Sequence, residues 1–260
     1  MVVFFDIDGT LLPEGARAIP DDTMAAVRAA QANGHICLIN TGRTIGIIDD
    51  FLLNAGFDGI ISGVGAMAVL HGEMLWQYPE NADAGRRVIE ASRACGLTVI
   101  YENYTGRAYD CFFSPPTEAQ KESYARARRA GRTVFELGEH DSFPMVKFLI
   151  DKSKGGDLER FRGMIDGFSF TAYDERWEEC VPLGLDKGTA LRRMMDHLGL
   201  PLEQSIAVGD NRNDLPMLEV CPNSVAMGNG EAQTFDVAFV TRRCDEGGIA
   251  HMLRHFGLID

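Results

Sequence analysis

Residues 4–10 read FFDIDGT, and they place two acidic residues where an apolar strand runs into a glycine turn. The apolar run begins at Val2 and is typical of a strand buried inside a parallel sheet. Asp6 and Asp8 are alternate residues of an extended chain, so their side chains share one face. Because buried carboxylates need compensation, the pair indicates a cation or substrate site at the carboxyl end of the strand. A glycine turn with solvated carboxylates is the competing interpretation.

The sequence on both sides of a central block alternates between strand and helix patterns. This alternation predicts an α/β fold with a parallel sheet and right-handed crossovers. The predicted elements are a strand over 2–5, a helix over 20–33, a strand over 36–39, a helix to about residue 54, a strand over 58–62, a helix over 188–198, a strand over 205–208, a helix over 216–220, a strand over 224–227 and a helix over 248–256.

The central block, residues 83–184, has a different texture, with aromatic and β-branched runs between charged helical segments. It predicts an inserted α+β domain with an antiparallel sheet. The predicted strands cover 98–101, 109–113, 146–150 and 168–172, and the helices cover 83–95 and 118–131. The chain is therefore predicted to form one discontinuous domain, 1–82 and 185–260, interrupted by a second domain, 83–184.

Composition and charge argue against a nucleic-acid-binding protein, a membrane protein and a disulfide-rich protein. The chain has 260 residues and a formal net charge of −13, which argues against a nucleic-acid backbone as partner. Neither a membrane-span-length apolar stretch nor a basic segment leading into an apolar signal core is present, so a cytoplasmic protein without membrane contact is expected. The six cysteines lack a C-x-x-C pair and are expected to be reduced structural thiols.

Two short motifs follow an apolar strand or begin a helix. Thr41-Gly42-Arg43 offers a hydroxyl and backbone N–H groups that could hold phosphate oxygens, although a plain turn and helix cap would use the same residues. Lys187 stands at a helix start, where the helix dipole disfavours a cation. That position makes sense if Lys187 faces an anion or a carboxylate cluster, and a solvated lysine is the alternative.

The segment 209–214, GDNRND, follows the strand that ends at Val208. Asp210 and Asp214, together with an amide, form an oxygen-rich set of the kind that binds Mg²⁺. A turn rich in Asp and Asn side chains is the competing account. An acidic protein that binds phosphate needs such a cation, a basic side chain and backbone N–H groups to supply local positive charge.

Together, DIDGT, TGR, DKG and GDNRND resemble the haloacid dehalogenase-like phosphohydrolase superfamily, in the branch of Cof-like sugar phosphatases with a large α/β cap. The motifs occur in that family's order, and the resemblance covers nearly the whole chain. It implies a Rossmann-like core with an inserted cap, and a Mg²⁺-dependent phosphatase that hydrolyses small phosphate monoesters, with sugar phosphates expected, through an aspartyl-phosphate. The partner it implies is a small phosphorylated metabolite; no sequence feature indicates an oligomeric state.

The resemblance also implies a role for each site residue. The expected roles are the nucleophile (Asp6), the general acid and base (Asp8), the Mg²⁺ ligands (Asp6, Asp210 and the backbone carbonyl of Asp8), the phosphate contacts (Thr41, Gly42 and Asn213), the lysine that orients the nucleophile (Lys187), and outer residues around the metal (Asp214 and Thr10).

Two other functions stay open at this stage. A phosphomutase of the phosphomannomutase type would use the same intermediate, and a non-catalytic protein would only bind a phosphorylated metabolite. The chain also departs from the family's pattern at Val64, where relatives often carry asparagine, and at Cys244. A basic run in the central block, residues 126–132, is interpreted as a solvated helix face rather than a phosphate clamp. Tyr101, Tyr104 and Tyr109 are expected either to pack in the cap sheet or to face the substrate cleft.

Overall fold

The computed structural model describes residues 1–111, 116–138, 142–172 and 175–260. These residues divide into two compact units. The first comprises Met1–Gly42, Asp50–Gln77 and Leu185–Asp260, and the second comprises Arg43–Asp49 and Tyr78–Gly184. Two residues of the predicted strand 109–113, Phe112 and Phe113, lie outside the described residues.

The strands and longer helices of the described residues follow in chain order. The strands are β1 (Val2–Phe5), β2 (Ile36–Asn40), β3 (Gly59–Ser62), β4 (Met67–Leu70), β5 (Glu73–Gln77), β6 (Val99–Glu102), β7 (Gly106–Asp110), β8 (Thr133–Leu137), β9 (Lys147–Asp151), β10 (Phe168–Ala172), β11 (Trp177–Pro182), β12 (Ser205–Gly209), β13 (Ser224–Ala226) and β14 (Phe239–Val240). The helices are α1 (Asp21–Ala32), α2 (Asp50–Leu53), α3 (Ala82–Ala94), α4 (Glu118–Arg129), α5 (Leu158–Met164), α6 (Lys187–Leu198), α7 (Leu215–Val220) and α8 (Gly248–His255).

The first unit is built on one sheet with the order β14-β13-β12-β1-β2-β3-β4-β5. Strands β14 to β3 in this order are parallel, whereas β4 and β5 add an antiparallel hairpin at one edge. All four residues of β1 are buried, as its continuous apolar sequence predicts. Phe4 and Leu38 pack with Leu191 and Met217 from the helices on one face. The predicted α/β fold with a parallel sheet is confirmed, and the hairpin was not predicted.

The second unit contains a sheet with the order β10-β11-β9-β6-β7-β8. Its described strand pairs are antiparallel, as predicted, apart from β7 and β8, which are parallel. Helix α4 connects these two strands, and a crossover of this length is what a parallel return needs. One face of the sheet holds an apolar core that includes Tyr101, Phe148 and Phe161. Tyr101 therefore packs in the core of this unit, with its hydroxyl 2.9 Å from Ser92 Oγ.

The helix predicted after Arg43 and up to about residue 54 does not form as one continuous helix. A 3₁₀ turn over Ile45–Ile47 and the short helix α2 take its place. The reason is a backbone contact made by Gly46, where an added Cβ would lie 2.5 Å from the carbonyl carbon of Thr105 and 2.6 Å from the amide nitrogen of Gly106. Packing of this segment against the β6–β7 turn thus outweighs the local helical pattern.

All six cysteines are free thiols in the structure. Within the described residues, no helix is both long enough and apolar enough to cross a bilayer.

Candidate active site

The carboxyl ends of four neighbouring parallel strands, β12, β1, β2 and β3, bring the acidic motifs to one edge of the first unit. Phe5 is in register with Val208 on one side and Ile39 on the other. The backbone N–H of Asp6 extends this pairing by donating to the carbonyl of Val208 at 3.0 Å. The chain leaves β1 for β2 on one side and returns to β12 on the other, so the acids lie at the switch point where open α/β sheets bind ligands.

A buried lysine joins two of these acids. The Nζ atom of Lys187 donates to Asp6 Oδ1 at 2.6 Å and to Asp214 Oδ1 at 2.5 Å. The Lys187 side chain is fully buried, and Asp214 is buried as well. Asn40, the last residue of β2, fixes the start of α6 by donating from Nδ2 to the carbonyl of Lys187 at 3.0 Å. The lysine faces a carboxylate cluster, not solvent.

Asp214 is held on both of its oxygens. While Oδ1 accepts from Lys187, Oδ2 accepts from the backbone N–H groups of Asp210 at 2.9 Å and Asn211 at 3.1 Å. This arrangement ties the 3₁₀ turn Arg212–Asp214 to the end of β12 and sets the position of Asp210. Asp214 therefore positions both the Lys187 side chain and the backbone of Asp210.

The buried carboxylates of the cluster repel one another, and a further cation would stabilise them. Burial raises the pKa of Asp6 well above its usual value, and the nearby carboxylate of Asp214 raises it further, while Lys187 opposes this rise. Burial, followed by Asp214, raises the pKa of Asp210 to about 7. A bound cation would relieve this repulsion and favour the ionised carboxylates.

The residues present fit a divalent metal ion. Asp6, Asp210 and Asp214 each offer a carboxylate oxygen, and these atoms lie within 4.8 Å of one another. Oδ1 of Asp210 is buried without a hydrogen-bond partner among the described residues, as expected of an atom that binds a ligand. Gly9, with φ +80°, lets the loop after β1 approach this carboxylate, since an added Cβ would lie 2.1 Å from Asp210 Oδ2. Hard oxygen donors of this kind suit Mg²⁺.

Four of the other predicted site residues lie at the end of β2 or in the loops that follow β1 and β2. Thr41 is buried, and its backbone N–H donates to Ile61 at 2.9 Å, which places it at the end of β2 beside β3. The hydroxyl of Thr10 is buried without a partner in the described part of the chain. Asp8 and Gly42 are half-buried in the loops that follow β1 and β2.

Asn213 is not joined to the cluster. It lies one residue before Asp214 on the 3₁₀ turn and is half-buried. In the described part of the chain, no side-chain hydrogen bond links it to the acidic residues. The geometry thus brings together Asp6, Asp210, Asp214 and Lys187 and leaves the predicted phosphate contact of Asn213 as a prediction.

Two asparagines of this region were not singled out from the sequence. Asn40 anchors the Lys187 backbone, and Asn229 donates from Nδ2 to the carbonyl of Gly9 at 2.8 Å. The Oδ1 atom of Asn229 accepts from the backbone N–H of Cys244 at 2.8 Å, so this residue braces the loop after β1. Asn40 is an amide that ends an apolar strand, and Asn229 lies between two glycines. Both sequence patterns could have indicated a structural role for these asparagines.

Gly209 leaves the space that Asp214 fills, and its replacement tests the geometry of the cluster. A Cβ added there would lie 2.5 Å from the Asp214 carboxylate, so Gly209→Ala must displace the partner of Lys187. We expect it to lower kcat/KM at least about tenfold and the free energy of unfolding by about 1–3 kcal/mol. Steady-state kinetics and urea denaturation measure the two effects.

Gly163→Ala, in α5, is the matched control, because an added Cβ there meets nothing within 4 Å. This control should stabilise the protein slightly and leave activity unchanged. Wild-type kinetics in Gly209→Ala would contradict the assigned position of Asp214.

Comparisons with known proteins place this site in a family. The family model described as haloacid dehalogenase-like hydrolase matches residues 3–253. The phosphatase YwpJ of Bacillus subtilis is 28% identical over 286 residues, which cover 98% of this chain and 99% of that protein. The HMP-PP phosphatase of Yersinia enterocolitica is 28% identical over 265 residues, covering 97% of this chain and 93% of that protein.

A solved structure, the HAD subclass IIB sugar phosphatase BT4131, has the same fold. It superposes with a TM-score of 0.80 at 23% identity, and the match covers 99% of each chain. The family model spans nearly the whole chain, including both halves of the discontinuous first unit, and it confirms the resemblance carried by the four motifs. The chain belongs to the haloacid dehalogenase-like hydrolases.

Proposed function

We propose that this hydrolase is a Mg²⁺-dependent phosphatase that cleaves small phosphate monoesters, sugar phosphates among them, through a phosphoryl group carried on Asp6. The observation that carries the proposal is the buried Lys187, which bridges Asp6 and Asp214 beside the unpartnered oxygen of Asp210. This arrangement suits an anionic nucleophile that must approach an anionic phosphate. The phosphatases among the similar proteins support the reaction class.

In the first step, a carboxylate oxygen of Asp6 attacks phosphorus, and the bond from phosphorus to the ester oxygen breaks. Asp8, two residues further along the chain, gives its proton to the departing oxygen and so releases an alcohol. Lys187 holds the other oxygen of Asp6, which orients the nucleophile and favours its ionised form. The product of this step is a phosphoryl group bonded to Asp6.

In the second step, water replaces the Asp6 oxygen on phosphorus. Asp8, now ionised, takes a proton from the attacking water, phosphate leaves, and the Asp6 carboxylate is restored. Reuse of one acid for both proton transfers explains why the motif needs Asp8 in addition to the nucleophile. A protein that only binds a phosphorylated metabolite would not need it.

Asp6, Asp210 and the backbone carbonyl of Asp8 would hold Mg²⁺, which supplies positive charge to the phosphoryl oxygens when bound. Thr41, Gly42 and Asn213 are proposed to hold phosphate oxygens, and Thr10 to support the metal site from behind. The buried hydroxyl of Thr10, which lacks a partner in the described residues, supports a ligand-linked role for this residue.

The inserted domain, predicted at residues 83–184, is proposed to act as a cap that selects the substrate. Three tyrosines of this domain differ in burial and in packing. Tyr101 is buried in the apolar core, and the hydroxyl of Tyr104 donates to the carbonyl of Tyr78 at 2.7 Å. Tyr109 packs against Tyr124 with ring centroids 4.3 Å apart. Tyr101→Ala would therefore damage packing and is a poor test of specificity.

Phosphate release from a panel of phosphorylated metabolites tests the proposed function. A phosphatase releases inorganic phosphate in the presence of Mg²⁺, whereas a phosphomutase returns the phosphoryl group to a sugar and releases none at steady state. A pure binding protein gives neither result. Loss of turnover on addition of EDTA, with recovery on addition of excess Mg²⁺, is the expected outcome.

Asp210→Ala should weaken Mg²⁺ binding by about tenfold or more, because a hard cation depends on its few carboxylate oxygens.

Binding of Mg²⁺ by the wild type should also weaken as the pH falls below about 7, because the raised pKa of Asp210 lets protons compete with the metal. Calorimetric titration with Mg²⁺ measures both effects. Asp236→Ala, at an exposed acid, serves as the control. Equal Mg²⁺ affinity in wild type and Asp210→Ala would remove Asp210 from the ligand set.

A further inference from the structure

The second unit contains a cavity of about 280 Å³ whose walls carry three arginines, Arg107, Arg126 and Arg132. Ser123 and Asp49 contribute further polar atoms to its lining. We call this space the arginine cavity. Its volume corresponds to several water molecules, enough for a carboxylate or phosphate and a few attached atoms.

Positive charge is in excess around the arginine cavity. Asp49, the carboxylate in its lining, is shared between Arg132 and Arg43, and Arg107 is paired with Glu102 at 2.7 Å. Arg126 makes no ion pair with any described residue. The four arginines in and beside the cavity wall therefore outnumber the two carboxylates that pair with them.

One arginine in the wall has an unused donor. The Nε atom of Arg132 is buried and lacks a hydrogen-bond partner within the described ranges, although the other end of its guanidinium contacts Asp49. Burial, and then the nearby Arg43, lowers the pKa of Arg132 from its usual value. A buried donor without a partner is costly, and an anion in the cavity would relieve that cost.

Arg126, Arg128 and Arg129 are exposed on α4, as expected of the solvated helix face predicted for the basic run 126–132, whereas Arg132 follows the helix and is half-buried. Arg128 pairs with Glu136 at 3.0 Å. Arg126 and Arg132 both line the cavity. The turn that follows α4 brings Arg132 back beside the last turns of that helix, a tertiary effect that helical spacing does not show.

We propose that the arginine cavity binds a carboxylate or phosphate group of a small metabolite. Guanidinium groups suit this ligand because they donate paired hydrogen bonds that match the oxygens of either anion. The hydroxyl of Ser123 adds a neutral donor, and Asp49 does not oppose an anion because its charge is balanced by two arginines.

The ligand is a separate anion that binds the arginine cavity without reacting, so the inference does not rest on the proposed phosphatase function.

Malonate binding tests the cavity without relying on catalysis. Calorimetric titration of the Mg²⁺-loaded protein should show malonate binding that Arg126→Gln weakens at least about tenfold, the effect of losing one charged pair of hydrogen bonds. Arg129→Gln, on the same helix but outside the cavity, should bind malonate like the wild type. Thermal denaturation confirms folding, which the exposed position of Arg126 favours.

Equal malonate binding by wild type and Arg126→Gln, or no binding at all, overturns the proposal. Absence of hydrolysis with every phosphate ester, together with malonate binding that depends on Arg126, would instead contradict the proposed phosphatase function and leave the cavity assignment standing.

Discussion

Replacing Asp6 with asparagine is expected to reduce phosphatase turnover by about four orders of magnitude or more, the scale seen when a covalent nucleophile is lost. The amide has the size and shape of the carboxyl group but cannot form the phosphoryl intermediate. The fold should survive, because burial and the neighbouring acids already raise the pKa of Asp6 and make its charge costly. Steady-state phosphate release measures the loss of turnover, and thermal denaturation measures whether the fold is retained.

Asp196→Asn is the matched control for this change, since it replaces an exposed acid on α6. Its kinetics and Tm should match those of the wild type. An Asp6→Asn enzyme that keeps most of its Mg²⁺-dependent rate would contradict covalent catalysis by this residue. A loss of activity accompanied by unfolding would instead show that Asp6 acts through stability.

Lys187→Met should cause the second largest loss, because it removes the charge that two buried carboxylates share. Burial alone would lower the pKa of Lys187, but Asp214 and Asp6 raise it above its usual value, so the residue is a buried cation. Breaking a buried ion pair from one side costs about 3–5 kcal/mol of stability. Turnover should fall by about two to three orders of magnitude, since the Asp6 carboxylate loses its orienting donor and binds a proton more readily.

Urea denaturation and phosphate release check this prediction. Lys154→Met, at an exposed lysine, provides the control and should alter neither quantity appreciably. Because destabilisation lowers activity indirectly, kcat is compared at a temperature where both variants are fully folded. A Lys187→Met enzyme with wild-type kcat under those conditions would contradict the orienting role.

The parallel sheet and the position of the acids could be predicted from the sequence, because both follow from local patterns. The apolar run before Asp6 fixes a buried strand, and parallel strands end at one edge of a sheet. Lys187 could be predicted to face acids because a cation at a helix start is otherwise unfavourable. The contacts of the cluster required the structure, since they join residues far apart in the chain, such as Asp6 and Lys187.

Other features could not be predicted because tertiary contacts determine them. Val64 adopts φ +59°, a left-handed conformation that a β-branched residue avoids and that asparagine tolerates. Its N–H donates to the carbonyl of Thr41 at 3.1 Å, and this bond holds the valine in that conformation. The irregular segment around Gly46 and the arginine cavity likewise depend on packing within the second unit.

The most direct test of covalent catalysis by Asp6 is to locate the phosphoryl group on the enzyme during turnover. Enzyme mixed with p-nitrophenyl phosphate and Mg²⁺ is quenched in acid, digested and mapped by mass spectrometry, alongside Asp8→Asn, which should accumulate the intermediate because it lacks the base for water. Covalent catalysis by Asp6 predicts a phosphoryl group on this residue, with a larger fraction modified in Asp8→Asn. A phosphoryl group on another residue, or on none in either protein while phosphate is still released, would contradict it.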